Sequence, residues 1–213
     1  MKKFFPIILL TFMFSLYATA KTDTKAKSIL DKTASILKKA GDIEAKFEAT
    51  SFKGNTQQGQ MTGVLYVHGQ AFQMVSEKVI YWYDGHTMWN YVKDNNEVNV
   101  STPPFYEQQE MNPYTFISIY RKGYEYEYGE STLRGIPCYC IHLICIEKTQ
   151  KIKEMYLDID KSNYNLMCIR FRRGNDGWTR VSLLEFMTHQ KYDASKFTFK
   201  KSDYPKAEII DLR

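Results

Sequence analysis

From Ile43 onward, most of this chain consists of short segments in which apolar and polar residues alternate. In the first segment, Ile43, Ala45 and Phe47 are separated by charged residues. Because successive side chains of a β-strand point to opposite faces, a period of two predicts strands with one buried face. The predicted strands are Ile43–Ala49, Gly59–His68, Ala71–Ser76, Lys78–Tyr83, His86–Val92, Glu97–Ser101, Tyr124–Gly129, Ile136–Glu147, Ile152–Asp160, Leu166–Arg173 and Trp178–Met187.

Short turns separate these segments, and most of the turns contain glycine, asparagine or aspartate. Asp84 and Gly85 are typical of a two-residue hairpin turn. Strands joined by such short turns are antiparallel, so we expect about ten to eleven strands in one antiparallel sheet. The sequence contains no repeat, low-complexity tract or linker that indicates a second domain.

Two segments depart from this period and predict helices. Between Lys21 and Gly41, apolar residues recur every three or four positions and lysines occupy much of the other face, which is typical of an amphipathic helix. A short apolar helix is predicted over 114–120, because Asn112 is a good N-cap and Pro113 fits the first helical position. The predicted fold is therefore mainly β with helices that cover the sheet (α+β).

The N-terminus has the three parts of a secretory signal peptide. Two lysines precede an apolar run from Phe4 to Leu16, and small residues that end at Ala20 follow it. The run is shorter than the roughly 20 residues that span a bilayer, and an uncleaved membrane anchor is the alternative. We therefore expect a cleaved signal peptide at 1–20 and one exported, monomeric domain at 21–213.

Composition narrows the classes of function. The chain contains 16 Tyr, 13 Phe and 3 Trp, and aromatic residues favour strands. The formal net charge is +5, or +3 without the two lysines of the signal peptide. So small a positive charge gives no reason to expect a nucleic-acid partner.

The four cysteines allow two interpretations. On a strand, Cys138 and Cys140 share one face, whereas Cys145 takes the other. The spacing of the first two is too short for a typical zinc site. In an exported chain the cysteines are either small buried apolar residues or include a cross-strand disulfide to Cys168.

Groups with catalytic chemistry do not form a recognisable set. The four histidines are scattered, without the spacing of a metal site. Asp158 and Asp160 share one face of a predicted strand, as a glycosidase pair would, but they precede a turn and suit a solvated edge. Arg170 and Arg172 belong to a basic strip that an ordinary solvated sheet face explains equally well. We therefore expect no enzyme, no cofactor and no metal site.

The apolar face of such a sheet must be covered, and the predicted helices are the elements that can cover it. Beneath the helices lies either a packed core or a ligand cavity. The hydrophobic pattern is the same in both cases, so the residues alone leave these two alternatives open.

Five segments in chain order resemble the LolA family, the soluble periplasmic carriers of outer-membrane lipoproteins. The most specific is 83–91, Tyr-Asp-Gly-His-Thr-Met-Trp-Asn-Tyr, which is similar to the family's Asp-Gly-Lys-x-Leu-Trp-x-Tyr hairpin. Segment 63–67 resembles its Gly-x-Leu-Trp-Val strand, and 112–117 resembles its short apolar lid helix. Segments 43–47 and 194–199 are similar to its first and closing strands.

The resemblance implies a single unclosed antiparallel β-barrel, covered by the N-terminal and the short internal helix, with an apolar cavity for acyl chains. It implies a periplasmic carrier that transfers acylated lipoproteins from an inner-membrane exporter to an outer-membrane acceptor, without stable membrane insertion. The alternatives are a LolA-like carrier of another lipid or glycolipid and a non-catalytic periplasmic sensor or scaffold. The expected lipid-binding residues are Phe47, Leu65, Val67, Phe72, Met74, Trp89 and Tyr91 in the cavity, and Phe116, Ile117 and Tyr120 in the lid.

One departure from the family pattern concerns the lid. After the Gly-x-Leu-Trp-Val strand the family commonly has an Arg-Pro pair, and the arginine holds the lid through hydrogen bonds to backbone carbonyl groups. This chain has neither residue there and reads His68-Gly69-Gln70 instead. We therefore expect His68 or Gln70 to act as a different latch.

Overall fold

The computed structural model describes residues 23–104, 119–174 and 177–213. The expected signal peptide and residues 112–118, which include Phe116 and Ile117, lie outside the described residues. The elements are α1 (Thr24–Lys39), β1 (Asp42–Lys53), β2 (Thr56–His68), β3 (Ala71–Ser76), β4 (Val79–Tyr83), β5 (Met88–Val92), β6 (Glu97–Ser101), β7 (Tyr124–Leu133), β8 (Ile136–Cys145), β9 (Ile152–Asp160), β10 (Leu166–Arg173), β11 (Trp178–Gln190), β12 (Glu208–Asp211) and the 3₁₀ helices Ile119–Arg121, Ala194–Phe197 and Lys201–Asp203.

Helix α1 is fixed at both ends by its local sequence. Asp23 is the N-cap, and its carboxylate accepts hydrogen bonds from the backbone N–H groups of Lys25 and Ala26 at 2.8 and 3.2 Å. Gly41 follows the C-cap residue Ala40 and has a φ of +64°, a conformation that favours glycine. The predicted amphipathic helix is therefore confirmed.

The strands form one curled, unclosed sheet in the order β12-β6-β5-β4-β3-β2-β1-β11-β10-β9-β8-β7. Neighbouring strands are antiparallel except β12, which runs parallel to β6. Strand β1 pairs with both β2 and β11 and thereby joins two antiparallel halves, β1–β6 and β7–β11. The mainly β, unclosed sheet is confirmed, but its twelve strands exceed the number expected. Strand β12 was missed because its four residues show no alternation of buried and exposed positions.

The turn between β4 and β5 differs from the two-residue hairpin expected at Asp84. Strand β4 ends at Tyr83 and β5 begins at Met88, so four residues make the connection. The Asp84 carboxylate accepts hydrogen bonds from the backbone N–H groups of His86 and Thr87, both at 2.8 Å. These bonds satisfy the backbone donors within the turn, so His86 does not extend the strand ladder.

Helix α1 packs on one face of the sheet, the inner face. Five residues in register across β1–β5 mark it: Ile43 pairs with Val67, Val67 with Phe72, Phe72 with Tyr83, and Tyr83 with Met88. All five belong to one buried cluster with the apolar side of α1. The same cluster continues over β7–β10, so the main core lies between α1 and the inner face.

The opposite, outer face carries a smaller apolar cluster on the β1–β6 half. A C-terminal cover, residues 192–207, packs on it: the ring of Trp82 lies 5.6 Å from the rings of both Phe199 and Tyr204. The buried members of this cluster are Val98, Val100 and Ala207, and Trp89, Tyr91, Phe199 and Tyr204 pack around them.

The expected closing strand at 194–199 is wrong. Residues Ala194–Phe197 form a 3₁₀ helix, and the Asp193 carboxylate accepts a hydrogen bond from the backbone N–H of Ser195 at 2.8 Å. Aspartate before a helical turn competes with strand pairing, which explains why this segment packs on the sheet instead of extending it.

Strand alternation correctly predicts the faces on which Cys138, Cys140 and Cys145 lie, but the alternative of a cross-strand disulfide to Cys168 is not observed. Cys140 and Cys168 both pair with Asp158, one from each side, so strand β9 separates them. Two strand spacings amount to about 9.6 Å, which is too far for a disulfide. All four thiols are free, and Cys145 packs against the main cluster on the inner face.

Candidate functional site

Five predicted lipid-binding residues come together on the inner face. Phe47, Leu65, Val67, Phe72 and Met74 lie on the neighbouring strands β1, β2 and β3. In the register, Val67 faces Phe72 and Leu65 faces Met74. Side chains alternate between the two faces along each strand, so the positions of the buried cluster residues show which face is the inner one. On that basis all five side chains lie on the face that α1 covers. They form a continuous apolar surface, which we call the inner patch.

The ring of Phe47 is held over Gly63, its partner on β2. A Cβ at position 63 would lie 2.9 Å from this ring and 2.5 Å from the backbone oxygen of Val75, so only glycine fits. The glycine of segment 63–67 therefore has a packing role, which is to let Phe47 lie flat on the sheet.

Burial is uneven within the inner patch, where Phe47 is 6% exposed. Val67 and Phe72 are fully buried, whereas Leu65 and Met74, two residues further along their strands, are half-buried. Tyr81 pairs with Met74 and is also half-buried. Apolar surface therefore extends beyond the part of the inner face that is fully buried with α1.

Polar atoms are sparse beside the inner patch, and some are unsatisfied. Among the described residues, the hydroxyls of Thr33 and Tyr83 and the side-chain oxygen of Asn90 are buried without a hydrogen-bond partner. Burial raises the pKa values of Tyr81 and Tyr83, so both phenols stay neutral at physiological pH. The surface suits an uncharged apolar ligand that carries an isolated hydrogen-bonding group.

Tyr120 connects helix α1 to strand β7 at the edge of the core. It is 1% exposed, and its hydroxyl donates a hydrogen bond to Oδ1 of Asp31 on α1 at 2.6 Å. Its backbone oxygen accepts a hydrogen bond from the Tyr126 hydroxyl at 2.9 Å. Hydrogen bonds from Lys27 and from Tyr120 lower the pKa of Asp31. Tyr120 therefore belongs to the main cluster beside α1, and its expected role in the lid stays a prediction.

Trp89 and Tyr91 do not join the inner patch. Met88 belongs to the inner cluster, so alternation places Trp89 on the outer face, where it pairs with Trp82. The ring of Tyr91 lies 4.7 Å from the ring of Tyr204 in the C-terminal cover. The expected cavity position of these two residues is therefore wrong. Aromatic residues occupy both faces of this hairpin, so the sequence pattern does not show which face points inward.

Sequence reasoning did not predict three further residues of the inner face. Tyr81, Tyr83 and Met88 lie in register with Met74 and Phe72. Alternation along β4 shows that Tyr81 and Tyr83 share one face and that Ile80 and Trp82 share the other. Deciding which of these faces is the inner one requires knowing which face α1 covers.

The latch expected at His68 or Gln70 stays a prediction, because the expected lid segment 112–118 lies outside the described residues. Among the described residues, Nδ1 of His68 lies 2.7 Å from a carboxylate oxygen of Asp42, and the His68 ring stacks on Phe197 at 5.8 Å. His68 therefore joins two strands to the C-terminal cover. Gln70 lies exposed in the turn before β3.

The carboxylates that share a face of β9 have structural partners. Asp158 accepts a hydrogen bond from the Ser131 hydroxyl at 2.7 Å. Asp160 accepts from the backbone N–H and the hydroxyl of Ser162, both at 2.7 Å, and these bonds lower its pKa. In the described part of the chain, no group of three or more His, Cys, Asp or Glu residues could hold a metal ion.

No helix of the described residues is long and apolar enough to cross a membrane.

Comparison with known proteins identifies the family. The sequence model of the outer membrane lipoprotein carrier protein LolA matches residues 15–175. This chain belongs to the LolA family. The match spans α1, the inner patch and the strands up to β10, so it covers the elements that build the inner face. No curated protein matches this chain in sequence.

Comparison with solved structures finds similarity at low sequence identity. An uncharacterized conserved protein from Thermus thermophilus is 14% identical, with a TM-score of 0.58 over 88% of this chain and 99% of its own. A LolA superfamily protein from Nitrosomonas europaea is 10% identical, with a TM-score of 0.45 over 82% and 97%. A putative outer membrane lipoprotein-sorting protein domain from Vibrio parahaemolyticus is 12% identical, with a TM-score of 0.45 over 85% and 100%.

Proposed function

We propose that this protein is a non-enzymatic periplasmic carrier that binds the acyl chains of lipoproteins on its inner face. It takes them from an exporter in the inner membrane and delivers them to an acceptor in the outer membrane. The observation that carries the proposal is the half-buried surface of Leu65, Met74 and Tyr81, which continues the core of a LolA family member.

Apolar contact is a sufficient source of affinity for such cargo. Each buried methylene group contributes roughly 0.8 kcal/mol, so one acyl chain on the inner patch gains many small increments. Leu65 and Met74 are open to the first contact, and methionine adapts to chains of different shape. The five described residues of the inner patch carry no charged group, which would favour release, because no single contact with them has to be broken at high cost.

The deeper residues of the inner patch require a rearrangement. Val67, Phe72 and Tyr120 are already buried in the cluster with α1. An acyl chain would reach them by taking the place of the apolar side of α1. The exchange replaces one apolar contact with another, so its net cost is smaller than that of exposing the core to water.

A release assay tests the proposal. Purified protein is added to spheroplasts of the source bacterium, and lipoproteins in the soluble fraction are identified by mass spectrometry. We expect lipoproteins in complex with the wild-type protein and their loss for Leu65→Asp, which places a charge on the inner patch. Met74→Gln, a milder change, is expected to reduce the yield.

The matched control is Val64→Asp, the neighbouring position on β2 that alternation directs to the outer face. It is expected to release lipoproteins like the wild type, provided that circular dichroism shows all three variants folded. Equal release by Leu65→Asp and Val64→Asp would refute binding on the inner face. Phospholipid or glycolipid in place of lipoproteins would assign another lipid cargo, and an empty protein would favour a sensor or scaffold.

A further inference from the structure

A groove on the outer face of the other half of the sheet has no role in the proposed carrier function. It crosses β1, β11, β10 and β9 and has a volume of about 280 Å³. Aromatic rings and two arginines form its walls. The lining residues are Phe52, Tyr156, Arg170, Trp178, Thr179 and Arg180.

The two arginines lie directly opposite each other on neighbouring strands. Arg170 pairs with Arg180 in the β10–β11 register. Like charges at opposed positions destabilise a sheet unless something compensates for them. Each guanidinium lies over an aromatic ring: the Cζ atom of Arg170 is 4.9 Å from the Tyr156 centroid, and that of Arg180 is 5.4 Å from the Phe52 centroid. The side chains of Arg170 and Arg180 are 42% and 41% exposed, so a ligand in the groove can reach their terminal N–H groups.

Protein carboxylates compensate these charges only loosely. The nearest oxygen of Asp158 is 3.7 Å from Arg170, while Asp158 accepts a shorter bond of 2.7 Å from Ser131. The nearest oxygen of Glu48 is 3.5 Å from Arg180, while Gln60 donates to Glu48 at 2.8 Å. Each carboxylate therefore binds a second, closer donor through its other oxygen.

The Nε atoms of the arginine pair provide a second, independent observation. Within the described residues, Nε of Arg170 and Nε of Arg180 are both buried and have no hydrogen-bond partner. Arg172, on the same face, shows the contrast, because its Nε donates to Glu154 at 2.6 Å. A buried N–H donor without an acceptor is costly. The carboxylates of Asp158 and Glu48 approach the Nη2 atoms of the pair and leave both Nε atoms unpaired.

We propose that Arg170 and Arg180 form a binding site for a phosphate group. A phosphate oxygen accepts from the terminal N–H groups of each arginine, and a tetrahedral anion bridges two guanidiniums on opposed residues of neighbouring strands. The rings of Trp178 and Tyr156 flank the remaining volume, which fits a glycerol or sugar unit attached to the phosphate. The site lies on the face opposite the inner patch, so it does not depend on the proposed lipoprotein cargo.

Thermal unfolding with added inorganic phosphate tests the site. At constant ionic strength, phosphate is expected to raise the unfolding temperature of the wild type and to quench Trp178 fluorescence with a saturable dependence. Arg180→Gln and Arg170→Gln are each expected to weaken the apparent affinity about tenfold or more. Lys46→Gln is the matched control, because it removes one exposed positive charge from the same face outside the groove.

The outcomes separate a specific site from general attraction. Equal responses of Lys46→Gln and Arg180→Gln, or no response of the wild type, would overturn the proposal. Vesicles distinguish the two sources of the phosphate group. Sedimentation of the wild type, but not of Arg180→Gln, with phosphatidylglycerol vesicles and not with phosphatidylcholine assigns the site to a lipid headgroup. Phosphate binding without sedimentation assigns it to a soluble phosphate ester.

Discussion

The two halves of the outer face differ in what covers them. On the β1–β6 half, Trp82 and the β6 valines are covered by the C-terminal cover, and Trp82 is 4% exposed. On the β7–β11 half, the corresponding surface is polar: Glu154 lies 2.8 Å from His142 and 2.6 Å from Arg172. One half is sealed by the protein's own chain, whereas the other presents paired polar and charged side chains.

This difference shows which aromatic residues stabilise the fold and which are available to contact a ligand. Aromatic side chains of the β1–β6 half that lie on the outer face already have partners in the same chain, so their burial stabilises the fold. The aromatic residues of the inner patch, Phe47 and Phe72, are also buried, and its half-buried members are Leu65 and Met74. In the arginine groove, the rings of Tyr156 and Phe52 lie beside guanidinium groups. The number of aromatic residues alone therefore does not indicate where a ligand binds.

The largest expected effect comes from removing a tryptophan on each half. Trp82→Ala is expected to lower the free energy of unfolding by about 3 to 5 kcal/mol, because it leaves a cavity beneath Phe199 and Tyr204. Trp178→Ala, its counterpart on the open half, is expected to lower it by about 1 kcal/mol, because Trp178 is only half-buried. Urea unfolding followed by circular dichroism measures both values.

Equal losses for the two tryptophan variants would show that the halves of the outer face are not distinct. A small loss for Trp82→Ala alone would mean that the C-terminal cover detaches readily in solution. Limited proteolysis within 192–207 then provides an independent check of that detachment.

The sequence predicted the strands better than the faces of the sheet. Alternation in Ile43, Ala45 and Phe47 fixed the inner side of β1, because charged residues occupy the positions between them. The hairpin of Trp82 and Trp89 has apolar residues on both sides, so its orientation depends on where α1 and the C-terminal cover pack. The orientation is decided by tertiary contacts between distant parts of the chain, and the local hydrophobic period does not reveal such contacts.

A smaller effect is expected where Tyr120 joins α1 to the sheet. Tyr120→Phe removes the hydrogen bond to Asp31 and is expected to cost about 1 to 2 kcal/mol of unfolding free energy at pH 7. Because the folded-state pKa of Asp31 is lowered, this stability is present above its unfolded-state pKa, near 3.8, and is lost as the pH falls through the folded-state pKa. Urea unfolding at pH 7 and at pH 3 should show the difference between the two proteins shrink in acid.

Tyr128→Phe is the matched control for Tyr120→Phe. The Tyr128 hydroxyl also donates to a carboxylate, that of Glu130, but at an exposed position. Its loss is expected to change the free energy of unfolding by less than about 0.5 kcal/mol. A cost for Tyr120→Phe that is no larger, or that does not depend on pH, would show that Tyr120 does not hold α1 through Asp31.

The smallest expected effect concerns His68, at the border between the inner face and the C-terminal cover. Its contact with Asp42 is half exposed, and Asp42 also accepts a hydrogen bond from the backbone N–H of Tyr192 at 2.9 Å. His68→Ala is therefore expected to cost only about 0.5 kcal/mol in urea unfolding. Because His68 contacts the C-terminal cover rather than the inner patch, release of lipoproteins from spheroplasts should be unchanged. Loss of release with the stability retained would instead make His68 the latch of the carrier, and would show that the two faces of the sheet are coupled through this residue.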